Sequence, residues 1–206
     1  RLREFLIAAS RQSRSEMRSS MKIGILAVQG AFAEHEQMLE QLGAEYIELR
    51  KGEDVRQSYD GLILPGGEST VQGKLMRELD MFDTIQSQIK NGMPVLATCA
   101  GAILLARQLS NDAATHLATL PAVVRRNAYG RQLGSFSVDE QIEGIGTFPM
   151  RFIRAPYIEK ALDDTKVLAK VDGNIVMVEN KNQLAMSFHP ELTSDTRIHE
   201  MFLRKI

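Results

Sequence analysis

Near its middle the chain reads Pro94-Val95-Leu96-Ala97-Thr98-Cys99-Ala100-Gly101-Ala102-Ile103-Leu104-Leu105. One apolar run ends on Cys99, the only cysteine, and a second apolar run begins directly after it. This pattern indicates a buried strand that delivers a thiol to a tight turn before a helix, as in a nucleophile elbow. Small neighbours let the backbone bend, and the positive end of the helix favours the thiolate. The alternative is a buried, inert cysteine.

The residues before this stretch alternate between strand and helix patterns. Apolar runs at 21–28, 46–49 and 60–64 predict strands, and periodic apolar positions predict helices over 32–42, about 70–79 and 81–91. Because strands that alternate with helices form parallel sheets, the pattern predicts a mainly parallel sheet with helices on both faces.

The residues after the predicted helix at 100–109 have a different texture. Short strand-like runs lie at 120–126, 132–138, 147–153, 166–171, 174–179 and 183–188. We expect these runs to be antiparallel and linked by hairpins, with a turn at Asp172-Gly173-Asn174, and the chain to close with a helix within 195–206. The predicted class is α/β, a three-layer α/β/α fold with an antiparallel extension of a mainly parallel central sheet.

Composition limits the function classes. The 206 residues are 44% hydrophobic and 25% charged, with a formal net charge of -1. This balance suits one globular domain and gives no basic surface for nucleic acid or an anionic membrane. One cysteine excludes an internal disulfide, and no stretch approaches the roughly 20 apolar residues of a membrane span. We therefore expect a cytoplasmic protein without nucleic-acid or membrane partners.

Residues 1–20 differ from the rest of the chain because they are rich in arginine and serine. Such a leader is typical of an organellar transit peptide, but Glu4, Glu16 and the abrupt start of strand patterning at Met21 favour a cloning or start-site artefact. We expect residues 1–20 to be a disordered or non-native leader and residues 21–206 to form a single domain.

Two further motifs lie at the ends of predicted strands, where ligands gather in open α/β sheets. In Ser187-Phe188-His189-Pro190-Glu191 the imidazole can take a thiol proton and the carboxylate can fix its tautomer. In Pro65-Gly66-Gly67-Glu68-Ser69-Thr70 paired glycines leave backbone N–H groups free for a developing oxyanion. Taken singly, the motifs also fit a packing histidine and an ordinary turn with a helix cap.

Together, the three motifs resemble those of class I, triad-type glutamine amidotransferases, whose fold is flavodoxin-like. More narrowly, the chain resembles the glutaminase subunit of pyridoxal 5′-phosphate synthase from Met21 to the C-terminus. That likeness rests on Ala27-Val28-Gln29-Gly30-Ala31 with Glu34-His35, Pro65 to Thr70, Arg126-Asn127-Ala128-Tyr129-Gly130-Arg131-Gln132, Phe152-Ile153-Arg154-Ala155-Pro156 and Ser187 to Leu192.

The resemblance implies a role for each matching residue. The nucleophile, base and orienting acid fall on Cys99, His189 and Glu191, and the oxyanion donors on the backbone of Gly67 and Ala100. The expected L-glutamine-binding residues are Gly66, Gly67, Glu68, Ser69, Arg126, Ile153 and Arg154. For Arg126 and Arg154 solvated surface charge is the alternative. One departure is Ala97, where the wider family has glycine; since alanine is small, we expect the turn to form without a left-handed φ there.

The resemblance also implies a partner. It is a (β/α)8-barrel synthase subunit that uses ammonia in a hetero-oligomeric complex, and in this family the glutaminase is weakly active until docked. No cofactor is expected, and His35, His116 and His199 show no spacing for a metal site with Cys99.

Three other functions stay open. One is a glutaminase subunit with another partner, such as that of histidine biosynthesis. The Arg-Asn and Ile-Arg-Ala-Pro segments favour the pyridoxal 5′-phosphate synthase subunit over this alternative. Another is a stand-alone cysteine hydrolase or redox sensor, which would show thiol reactivity without glutamine turnover. The third is a regulatory binding module, which has no physical need for the Cys, His and Glu set.

Overall fold

A mixed sheet runs through the middle of the molecule. The computed structural model describes residues 2–126 and 134–206 of the chain. The strands are β1 (Lys22–Leu26), β2 (Glu45–Leu49), β3 (Gly61–Leu64), β4 (Val95–Thr98), β5 (Ala106–Leu109), β6 (Leu120–Arg125), β7 (Ser135–Ile142), β8 (Gly146–Ile153), β9 (Tyr157–Ala161), β10 (Lys166–Val171), β11 (Asn174–Asn180) and β12 (Gln183–Met186). The helices are α1 (Leu2–Ser19), α2 (Phe32–Leu42), α3 (Gly52–Val55), α4 (Ser69–Glu78), α5 (Phe82–Lys90), α6 (Ala100–Leu105) and α7 (Arg197–Leu203), with a 3-10 helix at Pro190–Leu192.

The strand order of the main sheet is β2-β1-β3-β4-β12-β11-β9-β6-β5, and β10 pairs with β11. Strands β2, β1, β3, β4 and β12 run parallel to one another, whereas β11 is antiparallel to β12, β9 and β10. Strands β7 and β8 form a separate antiparallel hairpin. The carboxyl ends of β1, β3, β4 and β12 therefore meet at one edge.

Two apolar clusters cover the faces of this sheet. On one face, α4, α5 and α6 bury Met76, Ile85 and Leu104 against the strands. On the other face, α2, α7 and the β7–β8 hairpin contribute side chains such as Leu39, Phe202 and Phe152. The fully buried apolar strands need cover on both sides, so the predicted three-layer α/β/α class is confirmed.

Several element predictions need correction. The expected helix at 100–109 ends at Leu105, because residues 106–109 pair with β6 as a parallel strand. The run at 183–188, expected to be antiparallel, forms β12, which is antiparallel to β11 but parallel to β4. Strand β9 and the short helix α3 were not predicted. The first residues of the expected strand at 132–138 lie outside the described residues.

The turn at Asp172-Gly173 joins β10 to β11 as predicted, with φ angles of 49° and 80°. Both residues of a type I′ turn require positive φ, which Asp and Gly tolerate.

The N-terminal segment is helical rather than irregular in the structure. Helix α1 buries none of its residues, and its last turn contacts the body through an ion pair between Arg18 and Glu200 at 3.1 Å. The exclusion of residues 1–20 from the native fold stays a prediction. Among the described residues, no helix combines the length and apolar character that crossing a membrane requires.

Candidate active site

Cys99 lies at the turn between β4 and α6. Its φ of 50° and ψ of −106° put a non-glycine residue in a left-handed conformation, and its N–H donates to the Met186 carbonyl at 2.8 Å. Ala97 keeps an ordinary φ inside β4, as expected, so the bend falls on the cysteine itself. At Gly101 an added Cβ would lie 2.1 Å from the Leu64 carbonyl oxygen. Glycine there lets α6 start directly against β3.

The strand beside β4 brings His189 to the same edge. Strand β12 is parallel to β4 with Met186 opposite Thr98, so the residues that follow the two strands are neighbours. The His189 N–H donates to the Arg151 carbonyl at 2.8 Å, and its Nδ1 lies 2.5 Å from Glu191 Oε1. Cys99, His189 and Glu191 expose 7%, 6% and 5% of their surface. The thiol, imidazole and carboxylate are thus linked by hydrogen bonds and largely shielded from water.

The protonation of His189 depends on these partners. Burial acts to lower its pKa, but hydrogen bonds to Cys99 and Glu191 and the charges of both outweigh burial and raise the pKa of His189 to about 10. An imidazolium between a sulfur and a carboxylate is therefore favoured at neutral pH. In this charge state the ring can donate a proton to a group that leaves beside Cys99.

The Gly-Gly loop packs against the imidazole. A Cβ on Gly66 would lie 2.4 Å from His189 Cε1, so only glycine leaves the ring its place. The Gly66 carbonyl accepts a hydrogen bond from the Ala31 N–H at 3.0 Å. Because the two sides of a trans peptide point in opposite directions, the Gly67 N–H is directed away from Ala31.

Two glutamine side chains hold this loop in place. Gln29 Oε1 accepts from the Glu68 N–H at 2.8 Å. The buried Gln72 donates its Nε2 to the carbonyls of Gln29 and Pro65 at 3.1 and 3.2 Å. Both side chains therefore fix the backbone around Gly66 and Gly67.

A cleft of about 1190 Å³ opens above Cys99 and His189. Of the residues predicted for the site, the structure brings ten to its walls: Gly66, Gly67, Glu68, Ser69, Cys99, Ala100, Arg126, Ile153, Arg154 and His189. Glu191 lies behind the imidazole. Residues 127–133, which include the rest of the Arg-Asn motif, are outside the described residues. The arrangement can hold a small molecule with its reactive carbon beside the thiol.

The two arginines of the cleft have different surroundings. Arg126 is paired with Asp112, with Nη1 and Oδ2 2.9 Å apart. Arg154 has a φ of 44°, and its N–H donates to the Gly134 carbonyl at 2.7 Å. The neighbouring Ile153 carbonyl lies 3.9 Å from the Cys99 sulfur. Hence Arg154 and Ile153 turn into the cleft from the end of β8.

Several residues that line the cleft were not among the residues predicted for the site. The cleft wall also includes Gln29, Ala31, Ile103, Gly134, Ser135 and Leu192. Gln29 had a signal, since it follows a buried strand that ends at the same edge as Cys99. Leu192 stands at the end of the His-Pro-Glu motif, whereas Ser135 had no signal, because only the placement of the β7–β8 hairpin brings it to the cleft. Within the described part of the chain, no group of three or more His, Cys, Asp or Glu residues is arranged to hold a metal ion.

Comparisons with known proteins point in one direction. A family model described as the SNO glutamine amidotransferase family matches residues 25–206. The chain is 62% identical over 186 residues to the pyridoxal 5′-phosphate synthase subunit PdxT of Desulfitobacterium hafniense, covering 90% of this chain and 94% of that protein. It is 52% identical to the subunit of the same name from Streptococcus pneumoniae, over 89% of this chain and 96% of that one.

A solved structure is also similar. A crystal structure of a glutamine amidotransferase matches with a TM-score of 0.84 and 43% identity, covering 89% of this chain and 97% of that chain. Sequence and backbone comparisons therefore both match about nine-tenths of this chain to glutamine amidotransferases or their named relatives.

Proposed function

The chain belongs to the SNO glutamine amidotransferase family, and from this premise we propose that it is the glutaminase subunit of a pyridoxal 5′-phosphate synthase. It hydrolyses L-glutamine to L-glutamate and ammonia, and the synthase subunit consumes the ammonia. The observation that carries this proposal is Cys99 at a strand-to-helix turn with the His189–Glu191 pair at the end of the adjacent parallel strand. Residues 21–206 form the glutaminase domain, which the family match over residues 25–206 supports.

The reaction begins with the Cys99 thiolate. The sulfur attacks the side-chain carbonyl carbon of glutamine, and His189 gives its proton to the departing nitrogen, so that ammonia leaves and a γ-glutamyl thioester remains. His189, now neutral, takes a proton from water as the water attacks the thioester. Glutamate then leaves, and the proton returns the Cys99–His189 pair to its starting state. Glu191 orients the imidazole and stabilises its positive charge throughout.

The tetrahedral intermediates carry an oxyanion that needs donors. We assign the Gly67 and Ala100 N–H groups, because both residues line the cleft together with Cys99. One such donor lowers the barrier by about 3 kcal/mol in other enzymes. The hydrogen bond from Ala31 to the Gly66 carbonyl supports the assignment, because it turns the Gly67 N–H away from the β1–α2 loop.

The α-carboxylate and α-ammonium of glutamine need partners of opposite charge in the cleft. Arg126 and Arg154 supply cations, whereas Glu68 and the Ile153 carbonyl supply acceptors. Since Asp112 already pairs with Arg126, we expect Arg154 to bind the carboxylate more strongly. Arg154→Met should raise KM for glutamine about 10-fold to 100-fold and Arg126→Met less, in initial-rate measurements. Equal KM values for both variants and the wild type would remove these arginines from the glutamine site.

The partner is the (β/α)8-barrel synthase subunit. Ammonia becomes ammonium in water near pH 7, so its release is useful only where a second active site receives it. The family relatives named as synthase subunits support this partner over the subunit of histidine biosynthesis. A free thiol nucleophile fits a reducing compartment, so we place the complex in the cytoplasm.

The test is glutamate release from L-glutamine by the purified chain, with and without the synthase subunit. We expect strong stimulation by that subunit and no release by Cys99→Ser in either mixture. The control is Ser87→Ala, which also changes one small side chain but at an exposed position of α5 that does not line the cleft. Glutamine turnover without any effect of the synthase subunit would point to another partner. Thiol reactivity with no turnover at all would support the cysteine hydrolase or redox sensor.

A further inference from the structure

Two buried histidines lie next to the active site, and the mechanism above uses neither. His35 on α2 and His199 on α7 are both fully buried. His35 Nδ1 lies 2.9 Å from His199 Nε2, and His35 Nε2 lies 3.3 Å from Thr98 Oγ1. Thr98 immediately precedes the nucleophile. The histidine pair is therefore built into the layer directly behind the catalytic residues.

The pair reaches the triad through Glu191. One oxygen of this carboxylate, Oε1, is bonded to His189, whereas Oε2 lies 3.7 Å from His35 Nε2. Within residues 2–126 and 134–206, Oε2 has no hydrogen-bond partner. A buried carboxylate oxygen without a donor costs about 1–3 kcal/mol or more. His35 Nε2 is the nitrogen that faces this oxygen, just beyond hydrogen-bond distance.

The tautomers of the two histidines follow from their neighbours. If His35 carried its proton on Nδ1, a bare nitrogen would face the Glu191 carboxylate, and His199 would keep a buried N–H on Nδ1 without a described acceptor. With the proton on Nε2 in both rings, His199 donates to His35, and His35 presents an N–H to Glu191 and Thr98. This second arrangement leaves only a bare nitrogen unpartnered, which is the smaller cost.

Both rings are neutral at physiological pH. Burial first, and then the charges of His199 and His189, lower the pKa of His35 well below its ordinary value. Burial lowers the pKa of His199 to about 4. The titratable groups around His35 are thus Glu191, His189 and His199, with Cys99 beyond His189. Because His35 stays neutral, it acts as a hydrogen-bond donor and does not compete with His189 for the thiol proton.

We propose that His35 is a positioning residue of the glutaminase reaction, which donates its Nε2–H to Glu191 Oε2 and so keeps Oε1 directed at His189. His199 holds His35 in this orientation from α7. This inference rests on the proposed function for its effect on turnover, and it extends the triad by two neutral rings. Active-site hydrogen bonds in unliganded structures are often long and shorten in the substrate complex.

A pair of isosteric variants tests the proposal. The amide nitrogen of His35→Gln reaches the position of Nε2 and keeps the donor to Glu191. The amide of His35→Asn reaches only the position of Nδ1, so it keeps the contact with His199 and loses that with Glu191. In the complex with the synthase subunit, we expect His35→Asn to lower kcat about tenfold or more, with KM within about twofold. His35→Gln should stay close to the wild type.

A second measurement on the same proteins does not require glutamine. The pH dependence of Cys99 alkylation by iodoacetamide, measured on this chain without the synthase subunit, reports the thiolate that His189 stabilises, because Cys99 is the only thiol of this chain. We expect the alkylation midpoint of His35→Asn to move to higher pH, because a less well oriented Glu191 stabilises the imidazolium less. The midpoint of His35→Gln should not move. Should the wild type fail to release glutamate, the proposed function fails, yet the alkylation midpoints still decide on His35.

Three results would overturn the proposal. The first is an equal loss in both variants, which indicates packing alone; the second is wild-type kcat and midpoint in His35→Asn. The third needs no variant: nitrogen NMR of the wild-type chain with labelled histidines must show the Nε2–H tautomer of His35. A proton on Nδ1, or a charged ring at pH 7, contradicts the proposal even where His35→Asn does not fold.

Discussion

Cys99 stores backbone strain at the point where the chemistry occurs. A φ of 50° with a ψ of −106° is a conformation that side chains with a Cβ rarely adopt, and it costs about 1–3 kcal/mol. The hydrogen bond from the Cys99 N–H to Met186 and the close packing of Gly101 on Leu64 hold it there. The fold thus stabilises a turn that exposes the sulfur to the cleft.

The strain predicts an unusual order of stability between two inactive variants. Cys99→Gly should be more stable than Cys99→Ala by about 1 kcal/mol, because glycine adopts positive φ without a Cβ clash. Urea unfolding at pH 7 measures the difference. In an unstrained helix or strand the order is the reverse, so greater stability of Cys99→Ala would contradict a strained turn.

The close packing of Gly66 on His189 predicts that a substitution of this glycine lowers activity. Gly66→Ala places a methyl group 2.4 Å from His189 Cε1, so the imidazole must move. Since a displacement of about 1 Å can cost about 100-fold, we expect kcat to fall by that order in glutamate-release assays.

The matched control for this prediction is Gly73→Ala. It places the same methyl group 2.2 Å from the ring of His116, away from Cys99. We expect this control to keep most of the activity. Similar losses in the two variants would mean that a general disturbance of the fold, rather than the position of His189, lowers kcat.

At the residue scale the sequence predicted the reactive groups better than their supports. Cys99, His189 and Glu191 stand in short motifs at the ends of predicted strands, which made them candidates, although the strand before His189 was expected to be antiparallel and is parallel to β4. His35 and His199 are 164 residues apart and carry no common motif, and only the packing of α2 against α7 brings them together. The contact between the two rings, and the approach of His35 to Glu191, are tertiary properties that spacing does not encode.

Helices α2 and α7 are the elements that depend most on neutral histidines. Each buries one imidazole, and a charge on either ring would be removed from water by that burial. The pKa of His199 is about 4, below its value in the unfolded chain of about 6.5. The unfolded state therefore binds the proton first, and the stability that His199 confers is present above pH 6.5 and is lost as the pH falls towards 4.

This sign gives an element-scale prediction. Between pH 7 and pH 4.5, His199→Gln should lose about 2 kcal/mol less unfolding free energy than the wild type, because glutamine does not titrate. Urea unfolding at the two pH values measures the loss. Identical losses for the two proteins would show that the ring of His199 is protonated in the folded state at pH 4.5.

Local sequence patterns failed where pairing partners were distant. Residues 106–109 follow a helix and lack a turn signal, yet β6 pairs with them and ends the helix at Leu105. In the sequence, β12 looks like one more strand of an antiparallel series. In the structure it is antiparallel to β11 but parallel to β4 on its other side. The parallel pairing of β12 with β4 forms the site, because it brings His189 beside Cys99.

At the scale of the whole molecule, the function depends on one edge of the sheet. Strands β1, β3, β4 and β12 end there and supply Gln29, the Gly-Gly loop, Cys99 and His189, respectively. The fold class followed from the strand and helix alternation, whereas the cleft depends on loops from the β7–β8 hairpin as well.

The most direct test of glutamine hydrolysis at Cys99 is titration of the chain, in complex with the synthase subunit, with a glutamine analogue whose carboxamide is replaced by a chloroketone. Label occupancy at Cys99 is read by peptide mass spectrometry, and glutamate release is measured on the same samples. We predict that release falls in proportion to the labelling of Cys99 and that L-glutamine slows the labelling. Glutamate release that persists when Cys99 is fully labelled would contradict the assignment of Cys99 as the nucleophile.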